Sequence, residues 1–118
     1  MMTDDWVEAL NVNELRDGEM KKASVGGQEL LIARVGDRFY CAQNRCPHLG
    51  GDLSRGTLEG IVVTCPNHHS QFDLIDGHVV RWTNFSGFAL TLAKSVKPPR
   101  SIVVHPTRIE GEKVFVGK

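Results

Sequence analysis

The spacing of four cysteine and histidine residues constrains this chain more than any other feature. Cys46 and His48 form a C-x-H pair, and Cys65 and His68 form a C-x-x-H pair. Sixteen residues, Leu49 to Thr64, separate the two pairs. Thiolate suits iron and zinc, and imidazole suits several first-row metals. The spacing therefore predicts a metal centre built from two loops that each supply one sulfur and one nitrogen ligand.

The first pair surrounds a proline. Pro47 fixes its own φ and biases Cys46 toward extended backbone. Side chains two residues apart in an extended segment point to the same side, so Cys46 and His48 are expected to face one centre. Gly50 and Gly51 follow, and glycine permits tight turning and close backbone approach. Their N–H groups are then candidates to donate hydrogen bonds to inorganic sulfide.

The second pair has the composition of a turn. Proline at the second of the four positions Cys65–His68 has a φ suited to a β-turn, and a turn brings its first and fourth residues together. The segment 61–64 predicts a strand that leads into this turn, and the alternating segment 71–74 predicts a strand that leads away. Strands are therefore expected to hold the two ligand loops face to face.

These residues closely resemble the Rieske iron–sulfur family, whose motif is C-x-H, a spacer of similar length, and C-x-x-H. The segments C-P-H-L-G-G and C-P-N-H-H-S-Q-F match in all four ligands, both prolines and the glycine pair. The segment 36–42 resembles the family's hairpin before the first loop. The segment 99–116 resembles its proline loop and closing strands.

The resemblance implies an all-β Rieske fold of antiparallel sheets, with a sandwich- or barrel-like base and a small two-loop cluster-binding subdomain at about residues 45–73. It implies one [2Fe–2S] cluster, in which Cys46 and Cys65 bind one iron and His48 and His68 bind the other. In the family the histidines bind through Nδ1, and their Nε2 edges reach the surface. The residues that the resemblance places around the cluster are Leu49, Gly50, Gly51, Pro66, Ser70, Phe72 and Pro99.

Two departures from respiratory-complex Rieske proteins refine this interpretation. Those proteins join their loops by a disulfide, but Gly51 and Asn67 occupy the two cysteine positions here. They also place a serine and a tyrosine near the cluster. Ser70 matches the serine, whereas Phe72 lacks the tyrosine hydroxyl. Fewer hydrogen bonds to sulfur stabilise the reduced cluster less, so we expect a potential in the lower part of the family range of roughly −150 to +300 mV.

A structural zinc site is the alternative for the same four residues, since two cysteines and two histidines also suit tetrahedral zinc. Zinc fingers usually present a cysteine pair and then a histidine pair, whereas each loop here carries one of each. A zinc module that binds partners would be colourless, and its folding would depend on the metal.

Composition favours one soluble domain spanning residues 1–118. Basic and acidic residues number 14 each, which argues against a nucleic-acid partner. Apolar runs are short and the N-terminus lacks a signal-peptide pattern, so we expect no membrane association and a cytoplasmic location. Three cysteines, two of them assigned as ligands, fit a reducing compartment.

Alternation and glycine turns predict the remaining strands. A polar connection with about one helical turn is expected at 11–17, and a glycine-punctuated hairpin at 52–60. The predicted strands are 6–10, 19–25, 28–35, 38–43, 78–80, 102–104, 107–110 and 113–116.

The other cysteine and histidines receive structural interpretations. Cys41 is expected to be a small buried core residue. His69, His78 and His105 are expected to be surface or neighbouring residues, because the predicted cluster has no vacancy for them.

An atypical insertion occupies about residues 81–98, roughly fifteen residues longer than the family pattern, where most connections are about 4–6 residues. Its apolar residues fit both helical and strand spacing, and the sequence does not decide between them. Trp82, Phe85 and Phe88 form either a docking patch for a redox partner or, as we favour, part of an insertion that packs on its own domain.

The expected function is one-electron transfer from a flavoprotein reductase to an oxygenase or another terminal enzyme, without catalysis by this chain. Leu49, Leu53 and Pro66 are expected to rim a small, transient contact with these partners. The alternative is a small subunit of a nitrite-reductase-type complex. A complete oxygenase also needs a catalytic domain with a further iron site of two histidines and a carboxylate, so it is excluded if these 118 residues are the full chain. The identities of the reductase, terminal enzyme and substrate do not follow from the sequence, and neither does the oligomeric state.

Overall fold

The computed structural model describes residues 6–47, 50–66, 69–81 and 100–117. In these ranges the chain forms eleven strands and two short 3-10 turns, and it contains no α-helix. The strands make three antiparallel sheets. The all-β prediction is confirmed.

The first sheet joins the beginning and the end of the described chain. Its three strands have the order β1-β11-β10, with Trp6 opposite Gly117. A turn at Gly111, where φ is +62°, connects the last two strands. Their bounds are β1 Trp6–Asn11, β10 Thr107–Glu110 and β11 Lys113–Gly117.

The second sheet has the order β2-β3-β4-β9. Gly26 and Gly27 connect its first two strands with φ angles of +58° and +85°. Positive φ at both positions is what a type I′ hairpin requires, so the diglycine signal predicted this turn correctly. The bounds are β2 Met20–Val25, β3 Gln28–Val35, β4 Arg38–Gln43 and β9 Val104–His105.

Strand β3 is buried on both faces, and it divides the interior into two clusters. Leu30 and Ile32 pack toward the first sheet, in a cluster that also contains Val114. Leu31 and Ala33 point to the opposite face, toward the ligand loops. Successive side chains of a strand alternate between faces, so four consecutive buried residues serve two cores. The second sheet therefore lies between the base of the domain and the predicted metal centre.

The third sheet is a meander with the order β5-β6-β7-β8. The second ligand loop connects β6 with β7, as the flanking alternation predicted. The bounds are β5 Thr57–Glu59, β6 Val62–Thr64, β7 Gln71–Asp73 and β8 Val79–Arg81.

Two predicted elements differ from the structure. The hairpin expected within 52–60 is instead a 3-10 turn, Leu53–Arg55, followed by one strand that pairs with β6 across Gly60. The N–H of Leu53 donates to the carbonyl oxygen of Asn44 at 2.7 Å. This N–H is therefore bonded to a residue before the first ligand loop and not to a facing strand of a hairpin. The strand expected at 102–104 begins at Val104, because the buried Ile102 donates its N–H to Gly77 instead.

The insertion predicted at about residues 81–98 lies almost wholly outside the described residues. The choice between helix and strand, and the patch of Trp82, Phe85 and Phe88, therefore stay predictions. The same holds for Pro99 in the predicted proline loop. The helical turn expected at 11–17 is present as the 3-10 turn Val12–Glu14.

Candidate metal centre

The first ligand loop closes on itself through backbone hydrogen bonds. The N–H of Cys46 donates to the carbonyl oxygen of Gly51 at 2.7 Å, and the N–H of Gly50 donates to the carbonyl oxygen of Cys46 at 2.8 Å. Gly50 has a φ of +78°, a conformation that L side chains rarely adopt. The glycine pair thus serves the tight turn that was predicted, and it returns the chain beside Cys46.

A buried amide anchors the base of this loop. Asn44 is 2% exposed, and its side-chain oxygen accepts a hydrogen bond from the N–H of Ser54 at 3.0 Å. A β-bridge between Arg45 and Asp52 ties the two ends of the loop together. The first loop is therefore held from both of its ends.

A backbone hydrogen bond closes the second loop, from the N–H of Cys65 to the carbonyl oxygen of Ser70 at 2.8 Å. This bond encloses the segment that contains His68. Pro66 is exposed at the start of the segment, and Ser70 is fully buried at its end. The residues that begin and end the loop, Cys65 and Ser70, therefore both lie in the core.

The two predicted cysteine ligands meet in one core. Cys46 and Cys65 are 1% and 2% exposed, and both belong to the apolar cluster that contains Phe72 and Val63. Neither thiol forms a disulfide. The structure therefore brings the two predicted sulfur ligands into a shared buried environment, one from each loop.

The third cysteine faces the other way. Cys41 belongs to the cluster on the base side of the second sheet, with Ile32 and Val114. Burial raises the pKa of its thiol to about 12, so the thiolate that binds metal is disfavoured there. The prediction that Cys41 is a buried core residue is confirmed.

The segment after the first loop presses directly against the second loop. A Cβ added to Gly56 would lie 1.7 Å from the carbonyl oxygen of Thr64 and 3.2 Å from Cδ of Pro66. Only glycine tolerates so close an approach to backbone. Gly56 therefore allows the segment after the first loop to lie directly against the residues on either side of Cys65.

Several predicted site residues lie outside the described residues. They are His48, Leu49, Asn67, His68 and Pro99. The described neighbours from the predicted set, Gly50, Gly51, Pro66, Ser70 and Phe72, all lie on the two loops or on β7. The ligand roles of Cys46, His48, Cys65 and His68 stay predictions.

One predicted surface residue is placed wrongly. Leu53 was expected to rim a contact with partners, but it is fully buried among Cys46, Val63 and Phe72 in the core. The 3-10 turn that begins at Leu53 turns its side chain inward. Pro66, from the same prediction, is exposed.

Two histidines outside the predicted ligand set, His78 and His105, have defined positions in the structure. Nδ1 of His78 lies 2.6 Å from a carboxylate oxygen of Asp76, and both side chains are exposed. Hydrogen bonds from the backbone and the ring of His78 lower the pKa of Asp76. His105 lies in β9, where it pairs with Cys41. His78 is exposed, in agreement with the expectation of a surface residue.

Sequence reasoning missed two side chains that hold the loops. Gln43 donates from Nε2 to the carbonyl oxygen of Arg45 at 2.6 Å, and its Oε1 accepts from the N–H of Val103 at 2.7 Å. Arg81 donates to the carbonyl oxygen of His69. The contact between Gln43 and Val103 joins residues 60 positions apart, and that between Arg81 and His69 joins residues 12 positions apart, so no local pattern indicates them.

Comparison with known proteins decides the family. A model of the Rieske [2Fe-2S] domain matches residues 5–96, which is more than half of the chain. This chain belongs to the Rieske [2Fe-2S] family. The cofactor is accordingly a Rieske-type [2Fe–2S] cluster, and the zinc alternative is not favoured.

Relatives match this Rieske protein over nearly its full length. The ferredoxin component of the naphthalene 1,2-dioxygenase system of Pseudomonas aeruginosa is 29% identical over 115 residues, which cover 98% of this chain and 97% of the relative. The biphenyl dioxygenase ferredoxin subunit of Pseudomonas sp. (strain KKS102) is 32% identical, with coverage of 94% and 90%.

A solved structure shares the fold. The ferredoxin of carbazole 1,9a-dioxygenase from Nocardioides aromaticivorans IC177 superposes with a TM-score of 0.79 and 20% identity, covering 97% of this Rieske protein and 98% of that chain. At this identity the likeness supports the fold alone. It agrees with the three antiparallel sheets described above.

The described residues fit the cluster that the family carries. A Rieske centre needs two thiolates and two imidazoles. The thiols of Cys46 and Cys65, which form no disulfide, lie buried in one apolar environment, and each loop that carries a predicted histidine is closed by backbone hydrogen bonds. In the part of this Rieske domain that the structure describes, no helix has the length and apolar character needed to cross a membrane.

Proposed function

We propose that this protein is a ferredoxin that passes single electrons from a flavoprotein reductase to the oxygenase of an aromatic-ring dioxygenase system. The observation that carries the proposal is the match to ferredoxin components over nearly the whole length of both chains. Those relatives are small electron carriers within larger enzyme systems. By the same comparison this chain is a carrier and not itself an enzyme.

The proposed ligands are Cys46 and Cys65 for one iron, and His48 and His68 for the other. The buried positions of both cysteines support the first assignment. The histidines follow their cysteines by two and three residues within loops that the backbone closes. When bound, the cluster supplies reversible one-electron chemistry.

The protein surroundings favour a low potential within the Rieske range. Phe72 is fully buried in the same cluster as both cysteines, and its ring carries no hydroxyl to donate toward sulfur. Hydrogen bonds to sulfur raise the potentials of iron–sulfur centres. A low potential suits a carrier that delivers electrons to an oxygenase rather than one that oxidises quinol.

The proposed docking surface is the outer end of the two ligand loops, where Pro66 is exposed. Electron-transfer contacts are typically small and transient, below about 1,200 Å² in total. Such a contact suits a carrier that must leave one partner before it meets the next. We place this exchange in the cytoplasm, together with the reductase and the oxygenase.

The ligand test uses three histidine variants. His48→Ala and His68→Ala should each abolish the reduced-state EPR signal of a histidine-ligated [2Fe–2S] cluster, because each removes one iron ligand. His78→Ala is the matched control, since this exposed histidine pairs with Asp76 instead. An unchanged spectrum in either ligand variant would overturn the assignment.

The functional test mixes the reduced wild-type protein with the purified oxygenase component of a naphthalene or biphenyl dioxygenase system. Stopped-flow absorbance should show reoxidation of the ferredoxin and reduction of the oxygenase. A protein that reduces neither oxygenase but co-purifies with a large haem-containing subunit would instead support the nitrite-reductase alternative.

A further inference from the structure

The residue that follows the predicted ligand His68 has an unusual backbone conformation. His69 has a φ of +61°, and no other non-glycine residue in the described part of the chain has a positive φ. Side chains other than glycine rarely adopt this region, and they persist there when their surroundings hold them. The second ligand loop therefore needs an external restraint at this position.

Arg81 provides that restraint. Its Nε and Nη2 atoms lie 3.1 and 3.0 Å from the carbonyl oxygen of His69, so two N–H groups of one rigid plane converge on one acceptor. The planar guanidinium is better suited to such a forked contact than the single ammonium of lysine. One residue further along, the carbonyl oxygen of Ser70 accepts from Cys65. Two adjacent carbonyl groups of the loop are thus fixed by different donors.

A shift in the pairing register between β7 and β8 orients Arg81 toward the second ligand loop. Phe72 pairs with Val79, whereas Gln71 pairs with Arg81, so Val80 is an extra residue in β8. Such bulges twist a strand locally and re-aim its side chains, often beside functional sites. The exposed Val80, at 47%, marks the outward side of this bulge.

We propose that Arg81 is a positioning residue for the iron centre, which holds the His69 carbonyl and thereby the loop segment that carries His68. This inference rests on the proposed ligand role of His68. The guanidinium also places a fixed positive charge on the second loop. Reduction adds one negative charge to the centre, so a nearby cation favours the reduced form.

The two contributions of Arg81 predict different behaviour for two variants. Arg81→Gln removes the charge and the forked contact together. It should release the cluster about tenfold faster, the effect expected for one charge-assisted hydrogen bond, and its midpoint potential should fall. Arg81→Lys keeps the charge and loses the fork. It should keep the wild-type potential but release the cluster faster than the wild type.

Arg38→Gln is the matched control. It removes the same charge from the start of β4, at the opposite end of that strand from the first ligand loop. Its cluster-release rate and potential should equal those of the wild type. Both Arg38 and Arg81 are exposed, so neither substitution disturbs the core.

The experiment follows the visible absorbance of each purified holoprotein in excess chelator, together with a redox titration and an EPR spectrum. Equal release rates in Arg81→Lys and the wild type would overturn the positioning role, because charge alone would then suffice. Identical behaviour of Arg81→Gln and Arg38→Gln would overturn it as well. Failure of the proposed ligand role is seen separately, as loss of the expected Rieske-type EPR signal in the wild type, and failure of the proposed function is seen as no electron transfer from the wild type to the oxygenase.

Discussion

The two ligand loops solve the same task by different means. The first loop takes its left-handed residue from glycine, at Gly50, and closes through its own backbone. The second loop places a histidine, His69, in the left-handed region and is gripped from outside by Arg81. Both loops are closed by a backbone hydrogen bond of their own, from Gly50 to Cys46 and from Cys65 to Ser70. The second loop differs because its left-handed residue is also held by a side chain of β8, so the conformation there depends on the packing of another strand.

The largest expected effect, loss of the cluster, tests the role that the two loops share, which is to supply one thiolate each. Cys46→Ser and Cys65→Ser should each prevent assembly of the Rieske centre, since serine offers a poor ligand for iron in place of a thiolate. Cys41→Ser is the matched control, because Cys41 lies in the other core cluster. The measurement is iron content per chain with the visible spectrum. Full loading of either ligand variant would contradict the shared role of the two loops.

A smaller effect is expected where the loops touch. Gly56→Ala introduces a Cβ only 1.7 Å from the carbonyl oxygen of Thr64, so the backbone must move. Overpacking of this kind costs about 1–3 kcal/mol, and we expect the upper end of that range in the free energy of unfolding. Urea denaturation of the variant and the wild type measures this change in the free energy of unfolding.

Gly60→Ala is the comparison for that substitution, since no atom lies within 4 Å of its added Cβ although φ is +56°. Gly60→Ala reports backbone strain alone, at about 1–2 kcal/mol. If Gly56→Ala is no more destabilising than Gly60→Ala, the steric contact between the two loop segments is unimportant.

Exchanging the left-handed residues sharpens the contrast between the loops. Gly50→Ala should destabilise the protein by about 1–2 kcal/mol, because φ is +78° there. His69→Gly should relieve the strain at +61° and preserve or slightly raise stability. The urea midpoint should fall in Gly50→Ala and should not fall in His69→Gly. A fall in both variants would show that the two turns are restrained alike.

The smallest expected effect is on the midpoint potential of the cluster. Phe72→Tyr should raise the midpoint potential if the new hydroxyl donates to a cysteine sulfur, as both lie in one buried cluster. Phe39→Tyr is the matched control in the other cluster and should leave the potential unchanged. Redox titration of both proteins measures the difference. A potential that does not move in Phe72→Tyr removes this residue from the tuning argument.

Most strands were predictable because their signals are local. Alternation predicted β7, and the glycine signals at Gly26-Gly27 and Gly36 predicted the turns on either side of β3. The errors fall where a distant partner overrides local pattern. The segment after the first loop looked like a hairpin, but Asn44 takes the N–H groups of Leu53 and Ser54 and bends it into a 3-10 turn.

The sequence by itself determined two predictions: residue chemistry and short spacing predicted two loops with one sulfur and one nitrogen ligand each, and the resemblance to the Rieske family predicted the all-β class. Only the tertiary structure decided that Cys41 faces away from Cys46 and Cys65, that Leu53 is buried, and that Arg81 grips the second loop. Each of these depends on which strands become neighbours. Contacts between residues far apart along the chain produce no periodic pattern in the sequence. They are therefore seen only in the packed sheets of the tertiary structure.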